Sequence, residues 1–277
     1  MKAALRLHEE RQLIEIFSFL ALGLVAGVLA GMLGIGGGVV VVPALIWLFH
    51  REGLNEQIIP HLAIGTSLAT IVFTSLSAIY AQHKRRAIDW PIVRLLAPAT
   101  LLGGFASGYL AGFIPAETLK TIFALFLLLV GTQFILNWKP APHWRLPGRG
   151  GLWGAGLSIG ALSALLGIGG GNITVPFLHA CNLELKRAIA ISTALGFPIA
   201  LFGAAGFVLS GWHNAALPAS TLGYVSLPAL TAIASVSIIV APLGVRLSHE
   251  LPVKKLKQVF GLLVLAISMS MLWNGLS

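Results

Sequence analysis

Eight apolar stretches follow one another along the chain, and most are about as long as a bilayer is thick. They fall at roughly 18–49, 60–82, 91–112, 117–137, 151–179, 187–210, 222–245 and 256–274. A helix needs about 20 apolar residues to cross the hydrocarbon core, whereas barrel strands alternate weakly over about ten. The expected fold class is therefore an all-α polytopic membrane protein, one membrane domain over residues 1–277. Composition agrees: 10% of residues are charged, against about 25% in soluble domains.

Two of these stretches contain the same interruption. The first reads Met32-Leu33-Gly34-Ile35-Gly36-Gly37-Gly38 with Pro43 beyond it. The second reads Leu165-Leu166-Gly167-Ile168-Gly169-Gly170-Gly171 with Pro176 at the same distance. Glycine admits positive φ and close backbone approach and weakens a helix interior, so each cluster is expected to break its helix. The correspondence extends further. Ala63-Ile64-Gly65-Thr66 matches Ala190-Ile191-Ser192-Thr193, and Gly108, Pro115, Leu119-Lys120 and Phe123 match Gly244, Pro252, Leu256-Lys257 and Phe260. The expectation is two repeats, 18–137 and 151–274, joined by a cytoplasmic connector at 138–150, as in duplicated transporters.

Loop charge sets their relative orientation. Lys84-Arg85-Arg86 with Arg94, then Lys139, Arg145 and Arg149, then Arg246, Lys254, Lys255 and Lys257 are the basic connections. The excess of Lys and Arg in cytoplasmic loops places all three inside. Eight single crossings would put the third outside. The conflict is removed if 151–179 enters and returns as a glycine-broken hairpin, with 18–49 doing so from the other face. Each repeat is then a glycine-broken helix or hairpin plus three transmembrane helices, and the two repeats are inverted. Both termini are expected outside. The segment Met1–Ser18 carries both signs of charge and leads into a long apolar run, so it is expected to be retained. A rival arrangement has the glycine stretches crossing as tilted, unwound helices.

A helix broken at the membrane centre starts again with free N–H groups and a favourable dipole, which suits an anion. The expected substrate-binding residues are Gly34, Gly36, Gly37 and Gly38 with Thr66 and Ser67, and Gly167, Gly169, Gly170, Gly171 and Asn172 with Thr193. Pro43 and Pro176 complete the motif. Thr70 and Ser192 are neighbouring hydroxyls. Asn172 breaks the symmetry, because Val39 stands at its counterpart. The competing explanation is helix packing alone. It fits Gly23, Gly27 and Gly31, and Gly104, Gly108 and Gly112, which recur every four residues. It fits contiguous glycines poorly, since neighbours point in different directions.

All nine acidic residues lie in the termini, in loops or at segment ends, so no mid-membrane carboxylate serves a proton or sodium relay. His61, His83, His179 and His213 lie near segment ends and are expected to be interfacial or structural. No metal-ligand cluster and no nucleophile–histidine–acid set is present, so neither an enzyme nor a cofactor is expected. The net charge of +9 sits in short loops, which makes it topological rather than a nucleic-acid surface. Cys181 is the single cysteine.

The doubled Gly-x-Gly-Gly-Gly with its following proline, the eight apolar segments in two halves and the length resemble the TauE/SafE sulfite exporter family over roughly residues 18–274. The resemblance implies a multi-pass transporter of the bacterial inner membrane for small sulfur-containing anions such as sulfite or organosulfonates. An exporter is expected, with the anion bound between the two glycine breaks and with a homodimer as a further expectation. The alternatives are a permease for another solute or a cation using carbonyls at the same breaks, and a membrane scaffold with no cargo.

Overall fold

The computed structural model describes residues 2–33, 37–136, 144–250 and 253–276. The first half supplies α1 (Lys2–Leu33), α2 (Gly38–Arg51), α3 (Ile59–Lys84), α4 (Trp90–Ala111) and α5 (Ala116–Leu136). The second supplies α6 (Arg149–Leu165), α7 (Gly171–Ala180), α8 (Leu185–Gly211), α9 (Leu227–Glu250) and α10 (Val253–Leu276). Among the described residues the β pairing is a single isolated bridge, Thr221 with Ser226. Five described helices are long and apolar enough to cross a membrane unaided: α3, α4, α5, α8 and the Leu227–Leu247 part of α9.

The sequence dictates where helices start and stop. Pro60 and Pro91 sit in the first turns of α3 and α4, where a missing N–H costs nothing and φ is already helical. The apolar stretches 18–49 and 151–179 are each two helices. The second helix of each begins after a glycine in the left-handed region, Gly37 at φ 76° and Gly170 at φ 81°. A side chain there would strain the backbone.

In lipid an apolar side chain gains little by exchanging lipid for protein, so helices associate through close packing. Small residues set that closeness here. Gly23, Gly27 and Gly31 of α1 lie against Ile233, Ser237 and Ala241 of α9, so these helices run parallel. Gly104 and Gly108 of α4 lie against Ile199 and Gly203 of α8. Gly156 and Gly160 of α6 meet Ala99 and Thr100 of α4, again in parallel. At the centre α3 and α8 run antiparallel, with Gly65 beside Phe207 and Gly203 beside Leu68. Leu68 and Ile71 of α3 and Leu195 and Ile199 of α8 are fully buried. α5 and α10 are also antiparallel, Gly131 facing Leu265 and Gly261 facing Phe134. Leu129, Leu136, Ile239 and Leu262 point outward and give the bundle the apolar exterior that a bilayer solvates.

Both ends of the bundle are tied by polar contacts. At one, the Trp144 N–H donates to the Ala180 carbonyl (3.0 Å) and Asn182 Nδ2 donates to the Trp144 carbonyl (3.1 Å). Nearby in sequence, Arg187 pairs with Asp89, Nη2 to Oδ2 at 2.6 Å. At the other end His61 Nε2 donates to the carbonyls of Ala111 (3.1 Å) and Ile114 (3.0 Å). The ring stacks on Tyr224, 4.9 Å between centroids, so His61 ties the start of α3 to the α4–α5 turn.

Candidate functional site at the glycine breaks

α6 unwinds in two steps. The Gly167 N–H bonds the Ala164 carbonyl and the Ile168 N–H bonds the Ser163 carbonyl, at 3.1 and 2.9 Å. Gly167 at φ 66° then turns the chain away from the helix axis. Gly170 restarts it: its carbonyl receives the N–H groups of Ile173 (3.1 Å) and Thr174 (2.8 Å). The N–H groups of Gly171 and Asn172 precede that first bond, so α7 opens with donors that have no helical acceptor. The start of α2 matches the start of α7. The Gly37 carbonyl receives Val40 and Val41 N–H at 3.0 and 3.1 Å. Gly34 and Gly36 lie outside the described residues. Pro43 and Pro176 stand inside α2 and α7; having no N–H, they leave the carbonyls of Val39 and Asn172 without their helical donors.

The two breaks touch. A Cβ added to Gly38 would overlap the Gly167 carbonyl and come within 2.9 Å of the Ile168 Cα, and one added to Gly167 would come within 2.8 Å of Val42 Cγ2. Ser67 locks the junction, its hydroxyl donating to the Gly167 carbonyl at 2.8 Å. Gly196 of α8 closes in from behind, leaving only 3.0 Å between a Cβ placed there and the Gly169 carbonyl oxygen.

The repeat-matched threonines do different work. Thr66 Oγ1 accepts the Ser226 N–H at 2.9 Å, joining α3 to the segment before α9. Thr193 Oγ1 donates to the Ile189 carbonyl at 2.9 Å and lines a small cavity. The other walls are Gly169 and Gly196, Ile71, Thr74, Ser75 and Ala78 of α3, and Ala30 of α1. Its volume is about 10 Å³, room for about one water molecule and too small for a polyatomic ion. Ser192 is buried beside Thr193, and Thr70 donates to the Thr66 carbonyl at 2.9 Å.

No wall of this cavity carries a charge, so any ligand meets neutral donors and acceptors. Among the described residues no group of three or more His, Cys, Asp or Glu side chains could hold a metal. Outside the helices, burial pushes the Cys181 thiol up from its ordinary range. The sequence reading missed two side chains at the second break, Ser163 and Thr174. Both are fully buried, and neither hydroxyl has a hydrogen-bond partner. Their signal lay in the repeat register, where Ala30 and Val41 occupy the matching positions.

Known proteins place the chain. The family model described as sulfite exporter TauE/SafE matches residues 19–271. A probable membrane transporter protein of Haemophilus influenzae is 36% identical over 262 residues, covering 92% of this chain and 99% of its own length. One from Methanocaldococcus jannaschii is 29% identical, covering 85% and 87%. The probable membrane transporter protein YunE of Bacillus subtilis is 24% identical, covering 92% and 96%. No solved structure matches. The chain is a multi-pass membrane transporter and not an enzyme, and it belongs to the TauE/SafE sulfite exporter family.

Proposed function

We propose that this transporter moves small sulfur-containing oxyanions, such as sulfite or organosulfonates, outward across the bacterial inner membrane, binding them where the two glycine breaks meet. The observation that carries this reading is the contact of Gly38 with Gly167 and Ile168. It brings the start of α2 against the unwound segment that precedes α7, in a place lined by neutral groups. A weakly basic oxyanion can bind such donors and still leave.

The transport cycle rests on two inverted repeats. Matched helices running antiparallel, α3 with α8 and α5 with α10, support inversion, since parallel repeats would leave them parallel. The bonds from Trp144 to Ala180 and from Asn182 to Trp144 support a hairpin, because they join the chain before α6 to the chain after α7 at one end of the bundle. Rocking one repeat against the other would open the junction to each side in turn. Direction follows from the potential: each negative charge leaving a negative interior gains about 2.3 kcal/mol per 100 mV. Export therefore needs no coupling carboxylate.

Sulfite efflux from proteoliposomes under an imposed potential tests the reading. Efflux should exceed that of protein-free vesicles and speed up as the interior becomes more negative; a rate equal to the vesicle blank would refute it. The carbonyls of Val39 and Asn172, freed by Pro43 and Pro176, favour a second reading, a cation permease. That reading demands potassium or sodium flux of opposite voltage dependence.

A further inference from the structure

The two breaks share a backbone but differ in the side chains around them. At the second, a Cβ on Gly170 would lie 3.3 Å from Thr174 Oγ1 and 3.5 Å from Ser163 Oγ. Both residues are 0% exposed. Neither hydroxyl has a partner, although a Ser or Thr in a helix ordinarily bonds the preceding turn. Thr70, Thr74 and Thr193 all do so in this protein. Asn172, at the start of the same helix, also keeps a buried Nδ2 without an acceptor. A buried donor without an acceptor is destabilising, so three around one helix break call for a ligand. At the first break the matching positions are Ala30, Val39 and Val41, which offer nothing polar.

The geometry points to a single oxyanion seat at the second break. There the Ser163 and Thr174 hydroxyls flank Gly170 and donate to the anion beside the Gly171 and Asn172 N–H groups. The first break, with Ala30, Val39 and Val41 at the matching positions, supplies no such donors. Asn172 Nδ2 only donates, so the seat takes a ligand rich in acceptor oxygens, an oxyanion rather than a cation. This rests on the anion-carrier reading and narrows it from a shared site to one repeat.

The test uses the purified full-length chain and thermal protection by sulfite, with thiosulfate and sulfate in parallel. Thr174→Val keeps the shape and removes the hydroxyl, Thr174→Ser restores it, and Ser163→Ala removes its neighbour. The half-saturating anion concentration should rise at least tenfold in Thr174→Val and in Ser163→Ala, and stay within twofold of wild type in Thr174→Ser. The anion-free melting temperature of Thr174→Val should equal or exceed that of wild type, because an unpaired hydroxyl has been removed. Wild-type half-saturation in Thr174→Val, or a lowered anion-free melting temperature there, would overturn the seat and leave wild-type efflux as independent support for the carrier. Absence of protection of the wild-type protein by any of the three anions would overturn the seat and count against the carrier together.

Discussion

The hydroxyl of Ser67 donates to the carbonyl of Gly167 at 2.8 Å, and through that bond the first half of the chain holds the helix break of the second. Both groups are buried, so removing the donor leaves a carbonyl unpaired. Ser67→Ala should cost about 1–3 kcal/mol, read as a lower melting temperature in detergent, and should slow sulfite efflux. A variant with wild-type stability and flux would show that the break holds its shape without this bond.

The contact between the breaks makes a sharper demand. Gly38→Leu places a side chain where the Gly167 carbonyl lies, and Gly170→Leu forces a branched residue to φ 81°. Each should lower efflux at least tenfold while the protein still reaches the membrane, measured by flux normalised to reconstituted protein. Full activity in Gly38→Leu would mean that the two breaks need not touch.

Thr66 and Thr193 occupy equal positions in the repeats, yet their variants should behave differently. Thr66→Val strips the acceptor from a buried Ser226 N–H and should lower the melting temperature. Thr193→Val removes a hydroxyl whose own bond runs to Ile189 in the same helix. It should lower the melting temperature less than Thr66→Val does and act on transport through the cavity that Thr193 lines. Equal stability losses in both variants would contradict this division.

Topology can be read by labelling on a Cys181→Ser background. Ala215→Cys should react from outside intact cells, whereas Arg86→Cys, Trp144→Cys and Asn182→Cys should react only after permeabilisation. Trp144 and Asn182 reacting from opposite faces would rule out a hairpin between them. In the wild-type protein Cys181 is buried, and its thiol titrates above the ordinary range. A raised pKa keeps the neutral thiol at pH 7–8, so maleimide labelling should be slower than in the unfolded protein and should quicken as pH rises.

Hydropathy located the crossing helices, because lipid admits only long apolar runs whose backbone bonds are satisfied within the helix. It placed the last-but-one helix too early. Residues 222–226 fold into a turn before α9 begins at Leu227, with Gly223 at φ 52° and Tyr224 buried against His61. It also could not tell that the helix ending at Leu33 begins as early as Lys2, since a charged segment can coil as well as an apolar one. The rows Gly23, Gly27, Gly31 and Gly104, Gly108, Gly112 were legible as packing faces because four-residue spacing repeats on one side of a helix. Ser163 and Thr174 were not, because a hydroxyl that bonds its own helix and one that has no partner have the same letter. The repeat register distinguishes them, with Ala30 and Val41 at the matching places, and Asn172 against Val39 gave the same clue one position away.

The most direct test of the central claim is an experimental structure of the protein with sulfite present. Density for the anion should lie at the start of α7, within hydrogen-bond reach of the Gly171 and Asn172 N–H groups and the Ser163 and Thr174 hydroxyls. Sulfite bound elsewhere, with the two glycine breaks packed dry against each other, would contradict it.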